Sequence, residues 1–285
     1  MVMSDGVTLA VTRWAPASSP LGTILIAHGL GEHGGRYRQL AADLTGAGWN
    51  VLVPDLRGHG RSPGARGTIP DDNSIRNDIL TSLRLARAAN DGPLVLLGHS
   101  MGGAFAAAAI AENADAADAL VLSSPALRAD LSTAQRIMMH TMRRVAPNIA
   151  VGNGLNAQFL SHDRAVVDAY LADPLVHDRV SPRLAQAILT AGATAIAAAP
   201  QWRTRSLLLY AGADQLVNPR GSAEFSAAAP RTLVTTERFD GFHHEIFNET
   251  DRHKPVATLL AWLQALIRQA TAGSPATSAD GSFTR

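Results

Sequence analysis

The sequence predicts an α/β chain, a mostly parallel twisted sheet with helices on both faces and a helical cap inserted between two strands. Three observations predict it. Short apolar runs alternate with helix-patterned stretches along most of the 285 residues, which is how strands buried on both faces read. The alternation breaks between about Leu127 and Gln201, where helical periodicity continues without a convincing strand. One apolar run ends abruptly on Gly98-His99-Ser100-Met101-Gly102-Gly103, a sharp strand-to-helix turn.

The elements follow in order. Asp5-Gly6 lies between two strand-like stretches and reads as a hairpin turn. TILIAHG (23–29) is a buried strand, and RYRQLAADLTGAG (36–48) a helix stopped by glycine. WNVLVPDLRGHG (49–60) is a strand running into a turn. DDNSIRNDILTSLRLARAAN (71–90) opens on capping residues, with Ile75, Ile79, Leu83 and Leu85 as its apolar face. PLVLL (93–97) is a strand, the Ala-rich 101–113 a helix, and ALVLSSPAL (119–127) a further strand. Beyond the break, RSLLLYAGAD (205–214) and TLVTTERF (232–239) are strands and PVATLLAWLQALIRQA (255–270) is the closing helix. The expected organisation is a core in two parts, 1–127 and 201–271, a cap over 128–200, and a small, polar, disordered tail over 272–285.

Composition narrows the function. A net charge of +1 gives no electrostatic reason to expect nucleic acid. The absence of cysteine excludes disulfides, thiolate catalysis and cysteine-ligated zinc. No apolar run approaches the roughly 20 residues of a membrane-spanning helix, and no signal peptide is visible. A soluble, cytoplasmic protein is the default expectation.

Ser100 carries the chemistry. A tight turn from a buried strand into a helix presents one side chain at the carboxyl edge of a sheet. The positions two before and two after must be small, because strand and helix nearly touch there; Gly98 and Gly102 occupy them. The Met101 amide then lies at a helix N-terminus and is placed to donate to an oxyanion. The glycine-rich loop AHGLGEHGGRY (27–37) offers the second donor, the Leu30 amide. A serine hydroxyl needs a base, and the base an acid, in the chain order serine, acid, histidine. Asp214, after a Gly-Ala turn at a strand end, is the acid; its bland alternative is a cap for the helix near Pro219. The last strand is followed by His243 and His244, which spacing alone does not separate. Their side chains diverge on a loop, so one faces Ser100 and the other forms a wall or surface. His28, His33, His59 and His99 read as hydrogen-bonding loop residues. No H-E-x-x-H is present and the adjacent His-His-Glu lacks usable metal spacing, so no metal is expected.

HGLGEHGGRY, DLRGHGRS, GHSMGG, GADQLVNP and HHEIFNE together resemble the α/β-hydrolase fold. More narrowly they resemble its monoacylglycerol lipase and lysophospholipase branch, the serine aminopeptidase-like family. FLSHDRAVVDAYLADPLVHDRVSPRL (159–184) is similar to that family's cap, and the likeness runs over roughly 5–270. It implies Ser100 as nucleophile, Asp214 as acid, and oxyanion amides at Leu30 and Met101. Laid on GFHHEIFNE, the family's Gly-x-Tyr-His-Glu puts the aromatic position on His243 and the base on His244. Glu32 and Arg36 match loop residues near the polar head of the substrate; an ion pair that merely shapes the loop is the equal alternative.

The reaction this implies is hydrolysis of monoacylglycerol through an acyl-enzyme, with no cofactor. The rivals are a lysophospholipase, carboxylesterase, thioesterase or peptidase on the same scaffold, or a non-catalytic binding protein. An epoxide hydrolase or dehalogenase is disfavoured because those carry aspartate where this chain has Ser100. The expected partner is a lipid or small ester. In STAQRIMMHTMRRVAP (132–147), Met138, Met142 and Val145 form one helical stripe and Arg136, His140 and Arg143 another. By default the apolar stripe covers the cleft; the other use is peripheral contact with an anionic membrane surface.

Overall fold

The computed structural model describes residues 1–129 and 132–272. From residue 273 the expected tail lies outside the described residues. The chain order is β1 (Val11–Trp14), β2 (Gly22–Ala27), α1 (Arg38–Gly46), β3 (Trp49–Pro54), α2 (Ser74–Ala89), β4 (Leu94–His99), α3 (Ser100–Glu112) and β5 (Ala119–Ser123). There follow α4 (Thr133–Val145), β6 (Val151–Gly152), α5 (Arg164–Ala172), β7 (Arg179–Val180) and α6 (Pro182–Ala198). The chain closes with β8 (Ser206–Ala211), α7 (Pro219–Ala228), β9 (Val234–Phe239) and α8 (His253–Ala272). Seven strands form one sheet in the order β1-β3-β2-β4-β5-β8-β9. Only β1 runs antiparallel within it.

The central strands are buried along their whole length, as continuous apolar runs require when helices cover both faces. One core, on the side of α2, α3 and α6, gathers Ile75, Ile79, Leu83, Phe105, Leu184 and Phe225. The other lies under α1 and α8 and gathers Leu40, Leu44, Trp49, Leu259 and Leu263. Because the strands are parallel, every β-to-α connection on one edge lies at the strands' carboxyl ends. That edge holds the residues described below.

Three expectations are corrected. Leu85 does not belong to the buried face of α2: it is exposed, and Ala86 is buried instead. Position 85 lies two residues from Leu83, about 200° around the helix, whereas 86 lies three away. The insertion does contain strands, the antiparallel pair β6 and β7; at two residues each they are too short for alternation to register. The apolar stripe of α4 does not turn inward. Met138 and Val145 are 62% and 73% exposed, while Met139 and Arg143 are the partly buried positions. By contrast α6 buries Leu184, Ala187, Ala191 and Ala195, and Gly192 lets its backbone approach the carbonyls of Ala126 and Leu127 closely.

Candidate active site

β4 ends at His99 and α3 begins at Ser100, whose φ is +53°. A non-glycine residue in the left-handed region costs on the order of 1–3 kcal/mol and persists only where its surroundings enforce it. The enforcement is visible. The Ala126 amide donates to the Ser100 carbonyl at 2.9 Å. A Cβ at Gly98 would lie 2.7 Å from both Ala106 Cβ and Gly103 Cα, and one at Gly102 would sit on the Ala27 carbonyl. No side chain fits either place, so the turn is locked between β2 and α3. The Met101 amide lies in the first turn of α3, where no intrahelical acceptor exists.

Asp214 lies in the loop between β8 and α7. Its Oδ1 accepts from the amides of Leu216 (2.9 Å) and Val217 (3.0 Å), and its Oδ2 is 2.6 Å from His244 Nδ1. It does not cap α7; Asn218 does, accepting from the Arg220 amide. His244 follows β9 and is 4% exposed. Burial opposes charge on this ring most strongly, yet the Asp214 carboxylate and its hydrogen bond outweigh it, and the His244 pKa stands above its ordinary value of 6.5. Burial likewise opposes the Asp214 charge, and here too the contact with His244 wins, keeping the carboxyl below its usual range. With Nδ1 committed to Asp214, Nε2 is the nitrogen left for Ser100. The two adjacent histidines do diverge: His243 stacks on His162 with ring centroids 3.7 Å apart.

Ser100 and His244 line one cavity of about 40 Å³, together with Leu30, Glu32, Arg36, Tyr170 and others. Leu30 therefore stands beside the serine, on the loop after β2. In that loop the Glu32 carboxylate accepts from the Gly29 amide (2.6 Å), the Tyr37 hydroxyl (2.8 Å) and Arg36 Nη1 (2.6 Å). The Gly29 amide is thus occupied. Burial acts most strongly and would raise the pKa of Glu32, but Arg36, His99, His28 and the Gly29 amide together outweigh it and hold the carboxyl low. Arg36 also grips Glu245 with both terminal nitrogens, at 2.7 and 2.8 Å, and lies over the Tyr170 ring at 4.7 Å.

Glu245 is the residue that sequence reasoning missed. Its signal was present as the acid directly after the two histidines, but a buried bidentate partner 209 positions away leaves no trace in local spacing. The four histidines that the sequence marks as loop residues, His28, His33, His59 and His99, are hydrogen-bonded to loops. His28 Nε2 accepts from the Leu56 amide, His33 Nε2 faces Asp173 at 2.8 Å, and the Nδ1 atoms of His59 and His99 face the carbonyls of Arg57 and Ser123. Burial, reinforced by His244, pushes the His99 pKa down to about 4, so this ring is neutral.

The family model for serine aminopeptidase, S33, matches residues 18–251. The chain belongs to this family. Among curated relatives, a Mycolicibacterium smegmatis monoacylglycerol lipase is 33% identical over 264 residues, 90% of this chain and 93% of that one. An uncharacterised abhydrolase domain-containing protein of Dictyostelium discoideum is 31% identical over 98% of this chain, which spans only 30% of that protein's length. The solved structure of Paleococcus ferrophilus monoacylglycerol lipase superposes with a TM-score of 0.83 at 30% identity, covering 91% of this chain and 99% of its own. The sheet order, the turn at Ser100 and the inserted helices of this S33 member thus belong to the α/β-hydrolase fold that the sequence implied.

Proposed function

We propose that this chain is a carboxylic ester hydrolase that cleaves monoacylglycerol to glycerol and fatty acid through an acyl-enzyme on Ser100. The observation that carries the reading is the buried 2.6 Å contact of Asp214 with His244 in a ring that shares a cavity with Ser100. His244 Nε2 takes the Ser100 proton as Oγ attacks the ester carbonyl. The oxyanion accepts from the amides of Leu30 and Met101. His244 then returns the proton to the leaving alcohol, and the acyl-enzyme is opened by a water that His244 deprotonates. Asp214 holds the tautomer and balances the imidazolium.

The substrate class rests on the lipase relatives and on charge. Glu32, Glu245 and Arg36 sum to one net negative charge, and the guanidinium is committed to both carboxylates. An anionic phosphate head is therefore repelled at this wall, whereas glycerol hydroxyls meet acceptors. This favours monoacylglycerol over lysophospholipid. A cavity of about 40 Å³ has room for a few waters and is far below the roughly 300–1,000 Å³ of pockets that enclose drug-sized ligands. Admitting an acyl chain thus requires residues 128–200, the proposed cap over the core segments 1–127 and 201–271, to shift. The exposed apolar stripe of α4 suits peripheral contact with a lipid surface; among the described residues no helix is long and apolar enough to cross a membrane.

The test is covalent labelling by a fluorophosphonate followed by a substrate series. Labelling lost in Ser100→Ala, with the carboxylic acid released faster from monoacylglycerol than from lysophospholipid or aminoacyl amide, supports the proposal. Labelling retained in Ser100→Ala removes the nucleophile, and preference for the amide or the phospholipid removes the substrate.

A further inference from the structure

A second group of side chains meets where the inserted segment touches the loop bearing His244. His162 lies just before α5, His243 immediately precedes His244, and Glu249 follows in the same loop. One ligand atom from each of the three lies within 4.8 Å of the others. His162 Nδ1 is 2.8 Å from Glu249 Oε1, across 87 positions of sequence. The Glu249 carboxylate is itself buried and fixed: its Oε1 accepts from the His243 amide at 2.6 Å, and its Oε2 from the amides of His162 and Thr250 at 3.2 Å. His243 Nδ1 is buried and meets no partner in good hydrogen-bond geometry, although the Ser161 backbone interacts with the ring. A buried imidazole nitrogen without a well-formed hydrogen bond is costly in an ordinary wall residue.

We propose that His162, His243 and Glu249 form a site for one divalent transition-metal ion of the zinc class, joining the inserted segment to the loop that carries His244.

The donor set is chemically suited. Two imidazoles and one carboxylate are borderline ligands that suit Zn²⁺, Co²⁺, Ni²⁺ or Cu²⁺ rather than Ca²⁺ or Mg²⁺, and they leave a fourth position for water. Burial, with His162 adding to it, lowers the His243 pKa, and the neutral ring is the ligating form. Metal–ligand bonds of about 2.0–2.2 Å put neighbouring ligand atoms roughly 3–3.5 Å apart. The His162–Glu249 pair, at 2.8 Å, stands slightly closer than that and needs only a small separation to admit an ion between them. The two rings are stacked at 23°, so their in-plane lone pairs run nearly side by side. Closing the site requires one ring to turn, and His162, whose side chain is 49% exposed, has the room to do so. Backbone amides orient the carboxylate as an outer shell does in metal sites. Sequence spacing concealed the site because the ligand nearest the histidine pair, Glu245, is used by Arg36, and the third ligand comes from residue 162.

Untagged protein stripped with a chelator and titrated calorimetrically with ZnCl₂ tests the proposal without reference to esterase activity. One equivalent is expected to bind. His162→Ala and His243→Gln should each weaken binding by more than about 10-fold, the loss that even an outer-shell partner commonly carries. His140→Ala, at an exposed histidine elsewhere, should leave it unchanged. The Co²⁺ form should show visible d–d absorption that His162→Ala abolishes. Absence of binding, or equal binding by the parent and both site variants, overturns the site. If circular dichroism shows that His243→Gln is misfolded, His162→Ala decides, because its side chain is half exposed.

Discussion

The carboxyl edge of the sheet and the helix α4 are built on opposite rules. At the sheet edge, Ser100 is held at a strained backbone angle by glycines that nothing can replace, and His244 and Asp214 are buried against each other. In α4 no described side chain is buried, and Ile137, Met138, Met142 and Val145 face outward. One region concentrates constraint where the proposed chemistry needs atoms placed to a fraction of an ångström; the other leaves apolar surface uncovered. Strain and preorganisation suit the proposed chemistry, and weak packing suits a segment proposed to move.

The contrast breaks most severely if the edge tolerates substitution. Ser100→Ala is expected to lower kcat by roughly 10⁶-fold, the scale of losing a triad nucleophile, with the thermal unfolding midpoint held or raised because the alanine occupies the same turn. A kcat within tenfold of the parent would mean that the serine is incidental. Asp214→Asn should cost about 10⁴-fold and also move the pH profile. The base form of His244 is populated above its pKa, which Asp214 raises past 6.5. The parent's kcat/KM should therefore fall as pH drops through a midpoint above 6.5. In Asp214→Asn the larger opposition to burial is lost, leaving only the more distant Glu245 and Glu32 to favour the charged ring, and the midpoint should shift to lower pH. A midpoint that stays fixed would detach Asp214 from His244.

Stability sharpens the same comparison. Leu97 on β4 is 0% exposed, and Leu97→Ala should destabilise by about 2–5 kcal/mol through lost transfer energy and an unfilled cavity. Met138→Ala on α4 should stay within about 0.5 kcal/mol. Chemical denaturation of both variants reads the difference directly, and comparable losses would show that α4 is packed as tightly as the sheet.

The same division explains what the sequence made legible. Continuous apolar strands and the glycines around Ser100 are local, and their consequences are local, so the sheet, the turn and the candidate nucleophile could be read in order. Asp214 and the histidine pair were legible because chain order and strand ends constrain them, although only the resemblance separated His244 from His243. The bidentate hold of Arg36 on Glu245 was not legible, nor was the approach of His162 to Glu249, since both join residues far apart with no periodic signal. The direction of the α4 stripe failed for a related reason. A helical wheel shows that a helix has an apolar side and says nothing of which neighbour that side meets; Met139 and Arg143, from outside that stripe, turned out to be the inward positions.

The smallest expected effect concerns that stripe. Met138→Ser combined with Val145→Ser replaces two residues that are 62% and 73% exposed, so folding stability should change by no more than about 1 kcal/mol for the pair. If α4 rests on lipid, the same change removes apolar area from the contact, at about 25 cal/mol for each Å² no longer buried, and the double variant should float less with vesicles than the parent does. Anionic lipid should strengthen flotation of the parent through the basic side of the helix, although Arg143 is already paired with Asp72, which limits that contribution. Recovery with vesicles that is equal for parent and variant would place the stripe away from the membrane, leaving its exposure as the mark of a cap that closes over substrate by its other face.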